Sequence, residues 1–186
     1  PFFGLPLPLL PIQILWINLL TDSLPGLALT AEPVERDAMN RPPRKPDEGV
    51  FAAGRGWFII RMGLVIGVTT LLFQFWAVKA DLPWQTMIFT ALVIGRMAVV
   101  MGVRSEKHLL FQTGFLTNRP LLGAVALTLA LQLAAVYWPF FQGIFSTEPL
   151  TLEEFIMTLA LSSVVLIVIE GEKAVRQAFR RAGANR

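Results

Sequence analysis

Hydrophobic positions in this chain form five long runs that are separated by more polar connectors. The runs cover residues 9–31, 57–78, 84–103, 120–141 and 152–170, and each contains few charged residues. A helix needs about 20 mostly apolar residues to cross a bilayer, so every run is long enough to do so. Five such runs in a chain of 186 residues leave too little other protein to bury them all. The pattern predicts an all-α integral membrane protein, a bundle of five transmembrane helices.

Composition supports this class. Hydrophobic residues make up 54% of the chain and charged residues 16%, whereas a soluble domain averages about 25% charged residues. The chain has no cysteine, which excludes disulfides and thiolate metal sites but does not indicate a redox compartment. It starts at Pro1 with no initiator Met and no secretory signal peptide, so we expect a segment of a longer protein.

The basic residues are distributed unevenly between the two ends of the predicted helices. All but two of the 16 Lys and Arg lie in the connectors 32–55, 104–119 and 171–186 or beside them. The exceptions are Lys79, in an opposite connector, and Arg96, inside the third run. The positive-inside rule places the three basic connectors, and hence the C-terminus, in the cytoplasm of a multi-pass cell-membrane protein. The pI near 9.8 therefore reflects topology, and we expect no nucleic-acid partner.

The first run contains polar residues that lipid would penalise. Asn18, Thr21 and Asp22 are three and four residues apart, which puts them on one face of a regular helix. A central Asp costs about 2.5–3.5 kcal/mol on insertion scales, so it should face protein, water or an ion. Pro25 has no N–H, which leaves the Thr21 carbonyl without its helical partner, and Gly26 makes unwinding easier. The first helix is therefore predicted to be broken at mid-membrane.

Two interpretations of this break follow from the residues. Carboxylate, amide, hydroxyl and carbonyl oxygens are ligands for hard cations, and broken helices at mid-membrane are typical of ion sites in transporters. Asn18, Thr21 and Asp22 are thus candidate cation ligands. The structural alternative is that Asp22 caps the half-helix after Pro25 and Asn18 bonds to a neighbouring helix. Spacing alone leaves both open.

Several motifs together resemble one family. They are PIQILWINLLTDSLPGLALTAEP (11–33), MNRPPR (39–44), GWFIIR (56–61), RSE (104–106), NRPLL (118–122) and IEGEKAVR (169–176). In this order they resemble helices six to ten of the type II P-type cation-transporting ATPases, closest to the calcium-pump branch. Residues 1–186 are thereby identified as a fragment, the C-terminal transmembrane (transport) domain of such a pump.

This resemblance implies that ion binding and ATP use lie in different parts of a larger pump. Asn18, Thr21 and Asp22 match ion ligands of the family, and Ca²⁺ is the expected transported ion. ATP and Mg²⁺ would be used by cytoplasmic domains, because the Asp-Lys-Thr-Gly phosphorylation loop is not in this sequence. We expect no catalytic residue here. The implied partners are the lipid bilayer, the transported cation and the N-terminal part of the same pump, which contains helices one to five.

Arg96 departs from the family pattern. It stands where two-site calcium pumps have a ligand glutamate, and a guanidinium cannot bind a cation and stays charged at physiological pH. If it lies opposite Asp22, it would occupy one site as a tethered positive charge and leave one ion per cycle. Alternatively, it pairs with another acid or extends to the membrane surface.

Other functions and ions stay open. A helical membrane module that scaffolds a partner would have the same five spans, and a secondary cation transporter would use the same broken helix. Ca²⁺, Mn²⁺, Na⁺ and H⁺ are all compatible with this frame. Within the spans, Gln74 and Gln132 are expected to make interhelical hydrogen bonds, and Asn118 is expected to cap the fourth helix, with Pro120 in its first turn.

Overall fold

A computed structural model describes residues 6–31, 55–104 and 117–184, and the regular structure in these ranges is entirely helical. The helices are α1 (Pro11–Ile17), a π-helical segment (Asn18–Ser23), α2 (Leu24–Leu29), α3 (Arg55–Lys79), α4 (Trp84–Gly102), α5 (Arg119–Tyr137), α6 (Pro139–Phe145) and α7 (Leu152–Ala184). The predicted connector motif at 39–44 lies outside the described residues.

Five helices in the described ranges are long and apolar enough to cross a membrane. They are Pro11–Leu29, Gly56–Lys79, Trp84–Gly102, Arg119–Tyr137 and Leu152–Val175. The first of them combines α1, the π-helical segment and α2, and is called the first span below. The five predicted spans are therefore confirmed, in the predicted order.

The fourth and fifth spans differ from the prediction at their C-terminal ends. The fourth was expected to reach residue 141 but ends at Tyr137, because the residue before a proline is disfavoured in the helical region. Trp138 is accordingly extended, with φ −91° and ψ 121°, and Pro139 begins the separate short helix α6. The helix of the fifth span, α7, continues well past residue 170 to Ala184.

Helix α4 is the most buried of the five spans, and it packs along α7. Small residues allow the close approach: a Cβ added to Gly102 would lie 3.0 Å from Ile169 Cγ2. The Ser162 hydroxyl of α7 donates a hydrogen bond to the Ala91 carbonyl of α4 at 3.1 Å. These contacts make the two helices the structural centre on which the other spans pack.

Polar side chains lock the same end of this pair. Lys173 of α7 donates to the carbonyl of Gly102, the last residue of α4, and forms an ion pair with Glu170 at 2.9 Å. A cation at a helix C-terminus is favoured by the helix dipole. Glu172, also on α7, forms an ion pair with Arg61 of α3. Three spans are thereby tied together at one end.

Asn118 joins the fourth span to the first. Its Oδ1 accepts the N–H of Leu121 at 2.9 Å, which is the N-cap predicted from sequence, and Pro120 is in the first turn as expected. Its Nδ2 donates to the Ala28 carbonyl near the C-terminal end of α2 at 3.1 Å. One buried side chain therefore satisfies the ends of two helices.

Candidate cation site

The predicted break in the first span takes the form of a π-helical turn. Residues Asn18–Ser23 form i→i+5 backbone hydrogen bonds, and the flanking residues Ile17 and Leu24 keep right-handed helical dihedrals. The chain therefore widens here and does not unwind. This register also corrects the predicted position of the freed carbonyl. In i→i+5 bonding, the carbonyl that meets residue 25 is that of Leu20, not that of Thr21.

The side chains of the three predicted ligands do not all point the same way. Asn18 and Asp22 share the exposed side of the first span, whereas the Thr21 side chain is only 2% exposed and points into the bundle. The Thr21 hydroxyl donates to the Ile17 carbonyl at 2.6 Å and still lies 3.3 Å from Asp22 Oδ1. The single face expected for a regular helix is thus lost, because the wider π turn rotates Thr21 away from Asn18.

The structural alternative was that Asp22 caps the half-helix after Pro25 and that Asn18 bonds to a neighbouring helix. The described residues show neither contact. Ser23 occupies the N-cap of α2, and no side chain of the described residues caps that end. The exposed amide of Asn18 makes no hydrogen bond within residues 6–31, 55–104 and 117–184. Asp22 makes a different contact, an ion pair with α4.

Arg96 is the partner of Asp22. Its Nη1 lies 2.8 Å from Asp22 Oδ1 and 3.2 Å from Thr21 Oγ1, at side-chain exposures of 42% for Arg96 and 61% for Asp22. Arg96 therefore lies opposite Asp22, which is one of the two arrangements that the sequence left open, and no second acid pairs with it among the described residues. The π turn therefore presents a carboxylate that is already partly neutralised by a fixed cation.

The donor set on the described residues is incomplete for a metal ion. Ca²⁺ takes six to eight oxygen ligands, and here Asn18 and Asp22 supply an amide and a carboxylate. No group of three or more His, Asp or Glu that could hold a metal occurs in the part of the chain that the structure describes. A cation at this position would need further oxygen ligands from the exposed side of the first span.

Interhelical hydrogen bonds hold the first span against its neighbours. Gln132 of α5 accepts from Trp16 Nε1 at 3.2 Å and donates to Thr90 Oγ1 of α4 at 3.2 Å, so its predicted role is confirmed. Gln74, also expected to bond to another helix, instead donates at 2.8 Å to the carbonyl of Pro6, a non-helical residue that precedes α1. A third contact was not predicted from the sequence: the hydroxyl of Thr128 on α5 donates to the Leu20 carbonyl of the first span at 3.4 Å. Nothing distinguishes Thr128 in the sequence from the other small residues of this apolar helix.

Comparison with known proteins places this arrangement in a family. Residues 6–175 match the family model described as "Cation transporting ATPase, C-terminus". The chain is 38% identical over 178 residues to a calcium-transporting ATPase of Bacillus subtilis, covering 94% of this chain and 20% of that protein. It is 36% identical over 188 residues to calcium-transporting ATPase type 2C member 2 of Mus musculus, covering 96% and 19%.

A yeast relative gives the same picture. Calcium-transporting ATPase 1 of Saccharomyces cerevisiae is 35% identical over 175 residues, which cover 92% of this chain and 18% of the relative. The chain thus spans about a fifth of the length of the relatives it matches. Because the family model matches most of its length, the chain belongs to the C-terminal family of the cation-transporting ATPases, as its motifs indicate.

Proposed function

We propose that this chain is the membrane transport domain of an ATP-driven calcium pump and that it binds one Ca²⁺ per cycle through Asn18 and Asp22. The observation that carries the proposal is the π turn of the first span, which presents both side chains on an exposed face of a membrane-spanning helix. An ionisable residue inside a membrane is costly and usually marks an ion or substrate path.

Calcium fits the chemistry of these donors. Carboxylate and amide oxygens are hard ligands, and the relatives that match nearly the whole chain are named calcium-transporting ATPases. The remaining ligands would come from helices one to five of the same pump, on the exposed side of the first span. ATP and Mg²⁺ would act in its cytoplasmic domains, with the C-terminus of this chain on the same side of the membrane.

The limit of one Ca²⁺ per cycle follows from the positive charge of Arg96. Its guanidinium lies beside the Asp22 carboxylate, where it opposes any second cation and competes with the first. Asp22 keeps a second oxygen that does not contact Arg96 in the described structure. One divalent ion can therefore still reach the carboxylate, while a second would have to lie beside a fixed positive charge.

The test replaces Asp22 in the complete protein that contains this chain. We expect Asp22→Asn to abolish Ca²⁺-dependent phosphorylation from radiolabelled ATP, because one anionic ligand is lost while size and insertion are kept. Asp81→Asn is the matched control, since Asp81 is an exposed residue of the connector between α3 and α4. It should leave the calcium dependence unchanged.

Two results would contradict the proposal, and they differ in meaning. Normal calcium dependence in Asp22→Asn would show that Asp22 is structural. A wild-type protein that forms no phosphoenzyme from ATP would exclude a pump and favour a secondary transporter or a scaffolding module.

A further inference from the structure

The carbonyl of Leu20 has no i→i+5 donor in the π-helical segment, for a reason that the sequence dictates. It lies in the π-helical segment, where carbonyls pair with the N–H five residues later, and the residue five positions after Leu20 is Pro25. Proline has no N–H. A carbonyl without a partner inside the hydrocarbon region is strongly unfavourable. The turn therefore needs a donor from elsewhere in the bundle.

Thr128 supplies that donor. It lies on α5, its side chain is 0% exposed, and its Oγ1 is 3.4 Å from the Leu20 carbonyl oxygen. Leu20 is 108 residues away in sequence, so the contact depends on the packing of the fourth span against the first. The hydroxyl thus stands in the place of the N–H that Pro25 lacks.

Helix α5 and its N-cap residue hold the first span at two other levels. Asn118 donates to the Ala28 carbonyl on one side of Leu20, and Gln132 accepts from Trp16 on the other. Helix α5 therefore supports the first span along its length from the side facing away from Asn18. The opposite side of the π turn is left accessible to a ligand.

Thr128 also selects between two helical registers. With i→i+4 bonding the carbonyl facing Pro25 would be that of Thr21, and with i→i+5 bonding it is that of Leu20. Of the carbonyls of Leu20 and Thr21, the Thr128 hydroxyl contacts that of Leu20. It therefore stabilises the π register. That register is the one in which Asn18 and Asp22 share a face and Thr21 does not.

We propose that Thr128 is a positioning residue for the cation site: it replaces the missing donor of Pro25 and thereby holds the π turn that presents Asn18 and Asp22. This rests on the proposed function in so far as those two side chains bind Ca²⁺. Without the hydroxyl, the turn loses its preference for the π register, and the relative positions of Asn18, Thr21 and Asp22 change with it.

The first experiment measures calcium dependence in the complete protein. Thr128→Val removes the hydroxyl and is expected to raise the half-saturating Ca²⁺ concentration for phosphorylation about threefold to tenfold, the size of one hydrogen bond. Maximal phosphorylation at saturating Ca²⁺ should not change. Thr128→Ser keeps the hydroxyl and should behave as wild type.

The matched control is Thr158→Val. Thr158 is equally buried, but its hydroxyl donates to the Glu154 carbonyl within its own helix at 2.8 Å. Its calcium dependence should equal that of wild type. Wild-type half-saturation in Thr128→Val, or an equal increase in Thr128→Ser or Thr158→Val, would overturn the proposal.

The second experiment reads the turn itself without calcium. Hydrogen–deuterium exchange of the peptide covering residues 14–24 should be several-fold faster in Thr128→Val. In a Pro25→Ala background the backbone N–H is restored, so adding Thr128→Val should have little further effect. Equal increases in both backgrounds would overturn the assigned partnership. Because this measurement needs no transport, it still decides the role of Thr128 if the Asp22→Asn test rejects the calcium pump.

Discussion

Replacing Arg96 tests whether a tethered charge limits the pump to one ion. Arg96 Nη1 and Asp22 Oδ1 are 2.8 Å apart, which puts the centres of the two charges about 4 Å apart. At an effective dielectric constant of about 20, two unit charges at this distance interact by about 4 kcal/mol. A divalent ion at a similar distance from the guanidinium would be repelled by about 8 kcal/mol.

The size of this repulsion determines how many Ca²⁺ ions can bind per phosphorylation site. Since about 1.4 kcal/mol is a tenfold change in affinity, a repulsion of about 8 kcal/mol would weaken binding of a second ion by between about five and six orders of magnitude once the rest of the pump covers the site, and by far less while both side chains are as exposed as in the described chain. We therefore expect equilibrium binding of radioactive calcium to the purified complete protein to reach one ion per phosphorylation site. Two ions per site would refute the argument from Arg96 but would leave the pump assignment intact.

The neutral variant Arg96→Gln gives the complementary result. Both side chains of the pair are more than one-third exposed in the described chain, and exposed ion pairs contribute about 0.2–1 kcal/mol. Removing the competitor should thus lower the half-saturating Ca²⁺ concentration up to about fivefold, and more if the rest of the pump covers the site. The control Arg61→Gln removes the same charge from an ion pair with Glu172. It should leave the half-saturating Ca²⁺ concentration unchanged. Weaker calcium binding in Arg96→Gln would show that Arg96 organises Asp22 and does not compete for it.

Two further predictions concern topology and packing. Single cysteines at Gln177 and Glu148, introduced into a chain that has none of its own, should be labelled by a membrane-impermeant reagent from opposite sides, and labelling from one side would contradict the five-span topology. Gly102→Leu should destabilise the complete protein by about 1–3 kcal/mol through overpacking, because Ile169 lies 3.0 Å from a Cβ at this position. Gly63→Leu, where no atom lies within 4 Å of the added Cβ, should be tolerated in the same thermal-unfolding measurement.

Local signals in the sequence were sufficient to predict the five spans, but not the C-terminal ends of the fourth and fifth. A run of apolar residues determines whether a segment can cross a bilayer whatever its neighbours are, so the five spans could be predicted from hydropathy alone. The cap at Asn118 involves residues only three positions apart, and it too was predictable. The end of the fourth span was missed because Pro139 was not weighed against the apolar residues that surround it.

The candidate site was predicted in part. Asn18 and Asp22 stand out because polar and charged residues are costly in an apolar run, and Arg96 stands out for the same reason. Thr21 was assigned to their face on the assumption of a regular helix. The π turn contradicts that assumption, and one change of register moved both the side chain of Thr21 and the carbonyl that Pro25 leaves unpaired.

The sequence by itself determined which residues are too polar for lipid and therefore need a partner, because the free energy of transfer into lipid is a property of each side chain. Only the tertiary structure decided which partner each one has. Asp22 meets Arg96 across 74 residues and Leu20 meets Thr128 across 108, and hydropathy does not encode such pairings. They depend on how the fourth and third spans pack against the first, and that packing, together with Pro25, selects the register of the π turn.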